Sequence, residues 1–491
     1  MSDQLVTAIF FLMCVGQVAA CRKGRLPAVC YYLATVFCGH FTFWYGFTWT
    51  LDRACAVVLI SAWMMVWKRQ PHEPSFIASK LWIVLAYGIV LTVIRSPSWP
   101  QGVMDSANSV YSSLRWAVQI LNWILMIVTA WIIGTTITSQ ERLTRVVKPV
   151  LLIAAMLCTY ALYQQVAFRT GLPMTGIRRP IDGQMGSVTS EGYGMFAIQG
   201  TVVYRSNSLV GEPKGLGGAC VIWMALLLAE WNSFGRRRRV SYAVLIAAAL
   251  WFSTSTSAWV AAILLLCLTP ILKGTDNLGW RNAMLAITGG VLAVFVYTTI
   301  GVVGSGTEGI VGGIVQSRLA DRLGGDAAVS DLAEKASIEV LRDNPSFVLL
   351  GTGLGGMSFY IAERMTEVQR LILFPNNGLL GIVCNIGILG LGVIISVAST
   401  AILSLRRPHC DAYRRKLCFV GLGVFLQCMI FNVPLFFSIA LGFLTAGAAR
   451  SNRPLASRPR TWGVAGRRFS AESIRSSGAC DGVLAAPSHH A

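Results

Sequence analysis

The stretch RSNSLVGEPKGLGG runs from Arg205 to Gly218 and ends where a long apolar run begins. It places a fixed cation (Arg205), a carboxylate (Glu212) and a glycine-rich turn at the mouth of a predicted membrane helix. Charges at the rim of a membrane are energetically expensive, so they are more often functional than incidental. The rest of the chain decides which face of the membrane this stretch occupies, and therefore which molecules it can contact.

Composition places the chain among membrane proteins. Of its 491 residues, 54% are hydrophobic and only 13% are charged, and the mean hydropathy is +0.60. Many stretches approach the ~20 apolar residues that a helix needs to cross a bilayer. We therefore predict an all-α polytopic membrane protein with about 12–13 transmembrane helices. The predicted spans cover residues 5–20, 26–47, 51–67, 81–94, 116–134, 148–167, 215–232, 240–252, 258–272, 283–304, 377–404, 417–433 and 434–449.

The basic residues predict the orientation of these helices. The block from Arg236 to Arg239 is the strongest anchor, and the positive-inside rule places it in the cytoplasm. Alternating outward from this block, the cytoplasmic segments collect roughly two thirds of the 41 basic residues but only about a third of the 22 acidic ones. The net charge of +19 is therefore a signal of topology, and we expect no nucleic-acid partner.

The chain divides into a membrane domain, residues 1–449, and a basic tail, residues 450–491, which we expect to be disordered and cytoplasmic. Two long outer loops interrupt the membrane domain, at about 168–214 and 305–376. The second loop contains a predicted amphipathic helix with a stop at Pro345. The apolar residues that recur at helical spacing in it are Val329, Leu332, Ala333, Ala336 and Val340.

Several kinds of chemistry find little support in the sequence. No predicted span carries a Lys, Arg, Asp or Glu near its middle, which weakens the case for an ion-coupled transporter. Of the five histidines only His40 is predicted near the outer face, so we expect no metal site and no cofactor. The thirteen cysteines include no CxxC pair, and none lies in the outer loops, so we expect no disulfide framework there.

The sequence GTGLGG, residues 351–356, fits the spacing of a dinucleotide-binding turn. Such a site needs a following helix and an acidic residue ~20 positions further on, where this chain has Asn376 and Asn377. We therefore interpret the stretch as a tight turn or as a place where the backbone approaches a phosphate.

Arginines in the two outer loops carry the positive evidence. Arg205 ends the first loop, while Arg318 and Arg322 stand four apart in the second, on one face if that stretch is helical. Arginine suits a diphosphate, because its planar guanidinium group makes two parallel hydrogen bonds and keeps its charge. The alternative for Arg318 and Arg322 is simple solvation at the lipid headgroups.

Arg205, with Gly211-Glu212-Pro213 and the glycines that follow, resembles the motif of the O-antigen ligase and polymerase superfamily. The run STSTSAW, residues 253–259, resembles the Ser/Thr-rich turn of that family at a membrane rim. DNPSFVLLGTGLGG, residues 343–356, resembles its Pro…GxGxG loop. FPNNGLLGIVCNIGILGLG, residues 374–392, resembles the segment where that loop re-enters the membrane.

The resemblance covers roughly residues 200–392 and implies a GT-C-like fold in the inner (cytoplasmic) membrane. It implies a metal-independent enzyme, embedded in membrane lipid, that transfers glycan from an undecaprenyl-diphosphate-linked oligosaccharide at the outer face. A flippase and a chain-length regulator are the implied protein partners. Ligases of this family usually place a histidine just before the Asn that opens the re-entering helix. Here Phe374, Pro375 and Asn376 precede Asn377, which favours a polymerase of O-antigen or exopolysaccharide.

The resemblance also implies roles for individual residues. Arg205 would stabilise the departing diphosphate. Glu212 would be the general base for the acceptor hydroxyl, or else a salt-bridge partner that shapes the loop. Glu363 and Glu367 are weaker candidates for the base. The implied substrate-binding residues are Arg318, Arg322, Lys214, Gly215, Gly217 and Asn377.

Two other functions remain open at this point. A ligase has the same fold and differs mainly in its acceptor, because it moves finished glycan to a lipid. A non-enzymatic polysaccharide exporter or flippase would have a hydrophilic central cavity with charged residues on several spans, which this sequence does not predict.

Overall fold

The computed structural model describes residues 3–45, 47–67, 76–100, 112–175, 177–180, 187–189, 195–198, 201–273, 329–364, 377–405, 411–430 and 434–448. All of them lie in one compact unit, Met1–Ala449. The predicted span 283–304 and the predicted tail, 450–491, fall outside the described residues.

Helices make up most of the described chain, and the strands are short. In the described residues the helices are α1 (Asp3–Lys23), α2 (Arg25–Thr35), α3 (Leu51–Ala62), α4 (Phe76–Arg95), α5 (Ser112–Thr136), α6 (Gln140–Thr170), α7 (Pro213–Ala229), α8 (Arg236–Ser253), α9 (Thr256–Cys267), α10 (Pro270–Lys273), α11 (Val329–Asp343), α12 (Pro345–Leu350), α13 (Met357–Arg364), α14 (Gly378–Leu405), α15 (Ala412–Ile430) and α16 (Pro434–Ala448). A π-helical turn, Trp63–Trp67, continues α3. The strands pair as antiparallel hairpins: β1 (Thr42–Tyr45) with β2 (Phe47–Thr50), β3 (Arg178–Pro180) with β4 (Ser187–Thr189), and β5 (Met195–Ile198) with β6 (Thr201–Tyr204).

Five helices of the described chain are long and apolar enough to cross a membrane. They are Asp3–Lys23, Ser79–Ser98, Ala117–Thr136, Gln140–Thr170 and Gly378–Leu405. The mostly helical architecture of the prediction is confirmed, although the hairpins were not predicted. Shorter apolar helices include Pro213–Ala229 and Leu435–Ala448. The count of 12–13 spans therefore stays a prediction.

The predicted span 26–47 is not one helix. α2 ends at Thr35, and the chain then forms the hairpin of β1 and β2, in which Thr42 lies opposite Thr50. The run FTFWYGFTWT, residues 41–50, is rich in β-branched and aromatic side chains, which favour strands. Hydropathy scores such residues as apolar whether they form a helix or a hairpin, and this explains the wrong prediction.

The predicted re-entering segment corresponds to α14, which is broken in its first half. At Gly387 the backbone has a φ of 66° and a ψ of −176°, values that no helix contains. Glycine tolerates this conformation because it has no Cβ. A Cβ on Gly387 would also lie 2.3 Å from the carbonyl oxygen of Leu349. The break therefore lets the end of α12 pack directly against the backbone of α14.

The amphipathic helix predicted in the second outer loop is confirmed as α11. It ends at Asp343, just before Asn344 and Pro345. Ala333 and Val340 on its apolar face are buried in a small core that also contains residues of α13. Proline at the first position of α12 explains the stop, because proline has no N–H to continue α11.

The main core lies around α5, α7, α15 and α16. Trp223 of α7 is completely buried. Its ring packs edge-on against the ring of Phe37, with the two ring centroids 5.1 Å apart. α16 approaches α5 closely at Gly442, where a Cβ would lie 2.8 Å from Cβ of Ile133. Small residues at such contacts are typical of packed membrane helices. α7 therefore runs through the middle of the bundle, and it carries the start of the candidate site.

Candidate functional site

The segment Arg205–Ser208 is buried, although its sequence is that of a polar loop. Gln165 of α6 binds the start of this segment. Gln165 Nε2 donates to Tyr204 O at 3.0 Å and to Ser206 Oγ at 2.9 Å. Ser206 Oγ in turn donates to Ala161 O at 2.8 Å. The polar side chains of this segment are thus directed into the protein.

The preceding residue of α6, Gln164, binds the second half of the segment. Its Oε1 accepts from the backbone N–H of Ser208 at 2.8 Å, and its Nε2 donates to Asn207 Oδ1 at 2.9 Å. Ser208 Oγ also donates to Leu157 O at 2.7 Å. These bonds stabilise Ser208 at a φ of 52°, a left-handed conformation that is uncommon for a residue with a Cβ. The segment therefore has one fixed shape.

Arg205 joins this segment to the turn between α8 and α9. Its side chain is buried, and its Nε donates to Thr254 Oγ1 at 2.8 Å and to Ser253 O at 3.3 Å. The backbone N–H of Ser206 donates to Phe252 O at 3.0 Å. Two stretches that the sequence separates by about fifty residues, RSNS and STSTSAW, are therefore in direct contact.

The first turn of α7 packs against the same α8–α9 turn. A Cβ on Gly217 would lie 2.7 Å from Cβ of Ala258 and 2.9 Å from Cβ of Ser255, so only glycine fits. At Gly215 a Cβ would meet only Cγ1 of Val210, at 3.5 Å. Packing therefore explains Gly217, whereas it leaves the predicted substrate-binding role of Gly215 open.

Glu212 stands at the N-cap position of α7, followed by Pro213 as the first helical residue. Its carbonyl oxygen accepts from Leu216 N at 2.9 Å, but its carboxylate makes no capping hydrogen bond. Both Glu212 and Lys214 are half-buried. A negative charge at this end of a helix is favourable, because the N-terminus carries a partial positive charge. The role of Glu212, as general base or as salt-bridge partner, stays a prediction.

Gln427 of α15 lies beside the first turn of α7. Its Nε2 would be 3.0 Å from a Cβ on Gly218. The side chain is 1% exposed, and neither atom of its amide has a hydrogen-bond partner among the described residues. Buried polar groups are nearly always satisfied, so this amide is an exception next to the candidate site.

Asn377, predicted to bind substrate, caps a helix. Its Oδ1 accepts from the backbone N–H three residues further on, at 3.0 Å, and its own N–H donates to Glu334 Oε1 at 3.0 Å. A Cβ on the next residue, Gly378, would lie 1.7 Å from the carbonyl oxygen of Cys428. The start of α14 therefore touches α15 one residue beyond Gln427, and Asn377 positions this contact.

The GTGLGG stretch directs its backbone N–H groups into the protein. Thr352 N donates to Cys384 O at 2.9 Å, Gly353 N to Asn385 O at 3.0 Å, Leu354 N to Thr92 Oγ1 at 2.7 Å and Gly355 N to Asn385 Oδ1 at 2.8 Å. The two carbonyl acceptors lie just before the break at Gly387. Of the two sequence interpretations, the tight turn fits this geometry, because these N–H groups already have acceptors.

Sequence reasoning missed a second polar cluster, which centres on Glu230 at the end of α7. The carboxylate is completely buried. It accepts four hydrogen bonds: from Ser233 Oγ at 2.5 Å, Gln140 Nε2 at 2.6 Å, Thr144 Oγ1 at 2.7 Å and Lys416 Nζ at 2.9 Å. The only signal in the sequence is a lone acid at the end of an apolar run, which does not indicate its partners.

The protonation of Glu230 follows from these contacts. Burial alone raises the pKa of its carboxyl group, because it disfavours the charged form. The hydrogen bonds from Ser233, Gln140, Lys416 and Thr144 lower it, and together they outweigh burial, so the net pKa lies below the ordinary value. Glu230 is therefore an anion at neutral pH, and it links α6, α7 and α15.

The two clusters lie at opposite ends of α6. Thr144 binds Glu230, and Gln164 binds the segment Arg205–Ser208. They are twenty residues apart on one helix, which corresponds to about 30 Å at 1.5 Å per residue. The hydrocarbon core of a bilayer has the same thickness, about 30 Å.

The remaining predicted residues come from the second outer loop. Arg318, Arg322 and Glu367 lie outside the described residues, and Glu363 is exposed on α13. No three His, Cys, Asp or Glu side chains gather as a metal site requires in the part of the chain that the structure describes. No protein-family model and no curated protein matches the chain.

Proposed function

We propose that this chain is a membrane-embedded glycan polymerase. It takes oligosaccharide repeats from an undecaprenyl-diphosphate carrier and joins them into O-antigen or exopolysaccharide at the outer face of the inner membrane. The buried Arg205 carries the proposal, because its side chain lies where the RSNS segment and the α8–α9 turn meet, beside the start of α7. Two of the motifs that resemble the family therefore contact each other around one fixed cation, which supports a diphosphate site here.

The chemistry requires a cation that is in place before the reaction. When the glycosidic bond to the carrier breaks, negative charge develops on the departing diphosphate. A prepositioned arginine stabilises that charge most strongly in a poorly hydrated site. Hydrogen bonds from Nε to Thr254 and Ser253 fix the plane of the guanidinium group of Arg205. The substrate therefore need not order this side chain during the reaction.

The remaining roles follow from position. Glu212, at the start of α7, deprotonates the acceptor hydroxyl. Lys214 and the backbone at Gly215 bind the diphosphate, and Arg318 and Arg322 assist from the second outer loop. Asn377 contributes indirectly, because it fixes the start of α14 against α15.

The membrane arrangement belongs to the same proposal. α8 begins with Arg236, six residues after Glu230, so the positive-inside rule places the Glu230 end of α6 in the cytoplasm. The Arg205 end, about 30 Å away, then lies at the outer face. We propose a GT-C-like bundle of about 12–13 spans in the inner membrane, with a flippase supplying the substrate.

The decisive experiment compares surface glycan on gels from a strain without this protein and from the same strain carrying variants. Arg205→Ala should remove the long ladder and retain single-repeat products, with normal protein in the membrane. The matched control is Arg145→Ala, because Arg145 is exposed and pairs only with Glu141 in its own helix among the described contacts. This variant should restore the full ladder.

Each other outcome contradicts part of the proposal. A near-normal ladder with Arg205→Ala would remove the assigned role of Arg205. Long polymer that stays on the carrier in the deletion strain would assign a ligase. Unchanged surface glycan in the deletion strain would contradict both enzymes and favour transport.

Glu212→Gln tests the base, since it retains shape and hydrogen bonding but cannot take a proton. Polymer formation should fall at least about 100-fold, the lower range for loss of a general base. Full activity of Glu212→Gln would place the base elsewhere.

A chelator tests the metal-independent mechanism. It should have little effect on polymer formation by the wild-type protein or by the Glu212→Gln variant. Inhibition that a divalent ion reverses would contradict this mechanism.

A further inference from the structure

A concave surface lies away from the candidate site, between α1 and the end of α3. It is an open groove of about 550 Å³. Its lining residues are Val18, Cys21, Arg22, Val57, Val58, Ser61, Ala62, Val66 and Trp67. All of them except Arg22 and Ser61 are apolar. The small side chains of Ser61 and Ala62 leave the space that the larger residues surround.

The dimensions of the groove match one leaflet of a bilayer. From Val57 to Trp67 the helical chain rises about 15 Å, at 1.5 Å per residue. That is half of the ~30 Å hydrocarbon core. Val18 and Val66 on the rim are 40% and 67% exposed, so the groove opens toward the surface that lipid covers. An extended hydrocarbon chain fits these walls.

Cations surround one end of the groove. Arg22 lines it and is exposed, and Lys23 is exposed beside it. Arg25 is fixed there, because its Nη2 donates to Trp67 O and its guanidinium lies 5.8 Å from the centre of the Trp67 ring. The π-helical turn that ends α3 brings Trp67 into this position. The charged end is therefore a built structure next to an apolar channel.

We propose that this groove binds one anionic phospholipid, with an acyl chain along α3 and the phosphate group at Arg22. Basic pockets between membrane helices attract anionic headgroups, while the apolar walls require hydrocarbon. A second copy of the chain fits less well, because a symmetric contact would bring two Arg22 clusters toward each other. This site is independent of the proposed glycan chemistry.

Native mass spectrometry of the full-length purified protein tests the site, with phosphatidylglycerol and phosphatidylethanolamine supplied in equal amounts. The first bound lipid should be phosphatidylglycerol. Arg22→Gln should weaken its binding about fivefold, the contribution of one basic residue near a membrane surface. Ser61→Trp should fill the groove and remove this lipid. Arg239→Gln, a basic residue stacked on Trp231 outside the groove, should leave it unchanged.

Three results would overturn the assignment. Equal binding of the two lipids would mean that the charged end has no role. Equal losses for Arg22→Gln and Arg239→Gln would mean that only net charge matters. A dimer that Ser61→Trp dissociates, with lipid binding unchanged, would assign the groove to a second copy. Arg22 is exposed, so its variant tests the proposal without depending on the core.

Discussion

Two buried glutamines beside the candidate site differ in their hydrogen bonding. Gln165 Nε2 donates to Tyr204 O and Ser206 Oγ, whereas the amide of Gln427 has no hydrogen-bond partner among the described residues. Replacing a satisfied buried amide leaves its partners unsatisfied, while replacing an unsatisfied one removes a penalty. Gln165→Leu should therefore lower the free energy of unfolding by about 2 kcal/mol, and Gln427→Leu should leave it unchanged or raise it by up to about 1 kcal/mol.

Thermal unfolding of the detergent-purified variants measures this difference. The comparison is matched, because both changes replace a buried helical glutamine by leucine, beside Ser206 in one case and beside Gly218 in the other. Equal destabilisation by the two changes would show that the Gln427 amide contributes to folding after all.

Gly215 and Gly217 have the same predicted role but different surroundings. Gly217→Ala should lower the free energy of unfolding by about 1–3 kcal/mol, because its Cβ would overlap Cβ of Ala258 and Ser255. Gly215→Ala has room, and alanine in a helix is favoured over glycine by up to about 1 kcal/mol. Thermal unfolding checks both. If Gly215→Ala keeps its stability but loses polymer formation, close approach of the backbone to the diphosphate explains why glycine is needed at position 215. An unstable Gly215→Ala protein would contradict the open space at this position.

At the scale of elements, Glu230 joins α6, α7 and α15 through one buried carboxylate. Glu230→Gln should destabilise the protein by about 3 kcal/mol at pH 7, because Lys416 loses its buried partner. The folded-state pKa of Glu230 is lowered, so its contribution is present above the ordinary carboxylate range. It disappears as the pH falls through that range toward the lower folded-state pKa. Wild type and Glu230→Gln should therefore converge in stability on acidification.

Unfolding of both proteins, followed from pH 7 to below pH 4, measures this convergence. Glu141→Gln is the control, because Glu141 lies at the same end of α6 but pairs with Arg145 on an exposed face. Surface pairs of this kind contribute at most about 1 kcal/mol, so the control should stay close to wild type at every pH. A difference between wild type and Glu230→Gln that persists at low pH would show that shape, and not charge, explains the effect.

The elements also show what the sequence could and could not predict. α11 was predictable because its own residues carry the amphipathic period and the stop signal. The break in α14 was not, since nothing in the sequence distinguishes Gly387 from the other glycines of this helix, and its contact with Leu349 lies in another element, α12. The same reason hides the partners of Ser208 on α6 and three of the four partners of Glu230, because they lie on other helices more than forty residues away. The motif that contains Arg205 and Gly217 is local and visible in the sequence, but the catalytic role of Arg205 and the substrate-binding role of Gly217 stay predictions.

At the scale of the whole molecule, α6 determines the distance between the two polar clusters. The clusters are about 30 Å apart along one helix, and a bilayer core has that thickness. Apart from Arg145 and Lys148 near the Thr144 end, the residues of α6 between the clusters are mostly apolar. Such a helix crosses a membrane most favourably with one polar cluster at each face. The proposed orientation rests on Arg236–Arg239, which lies next to the Glu230 end.

Cysteine labelling in intact cells tests this orientation. Thr170 and Asn232 are exposed, and they lie near the Arg205 end and the Glu230 end of α6 respectively. Thr170→Cys should react with a membrane-impermeant maleimide in cells whose outer envelope is permeabilised while the inner membrane stays intact. Asn232→Cys should react only after the inner membrane is opened, and the parent protein gives the background. The reverse pattern would place Arg205 in the cytoplasm, where a carrier-linked repeat cannot be extended at the outer face. Labelling of both positions from outside would mean that α6 does not separate two compartments.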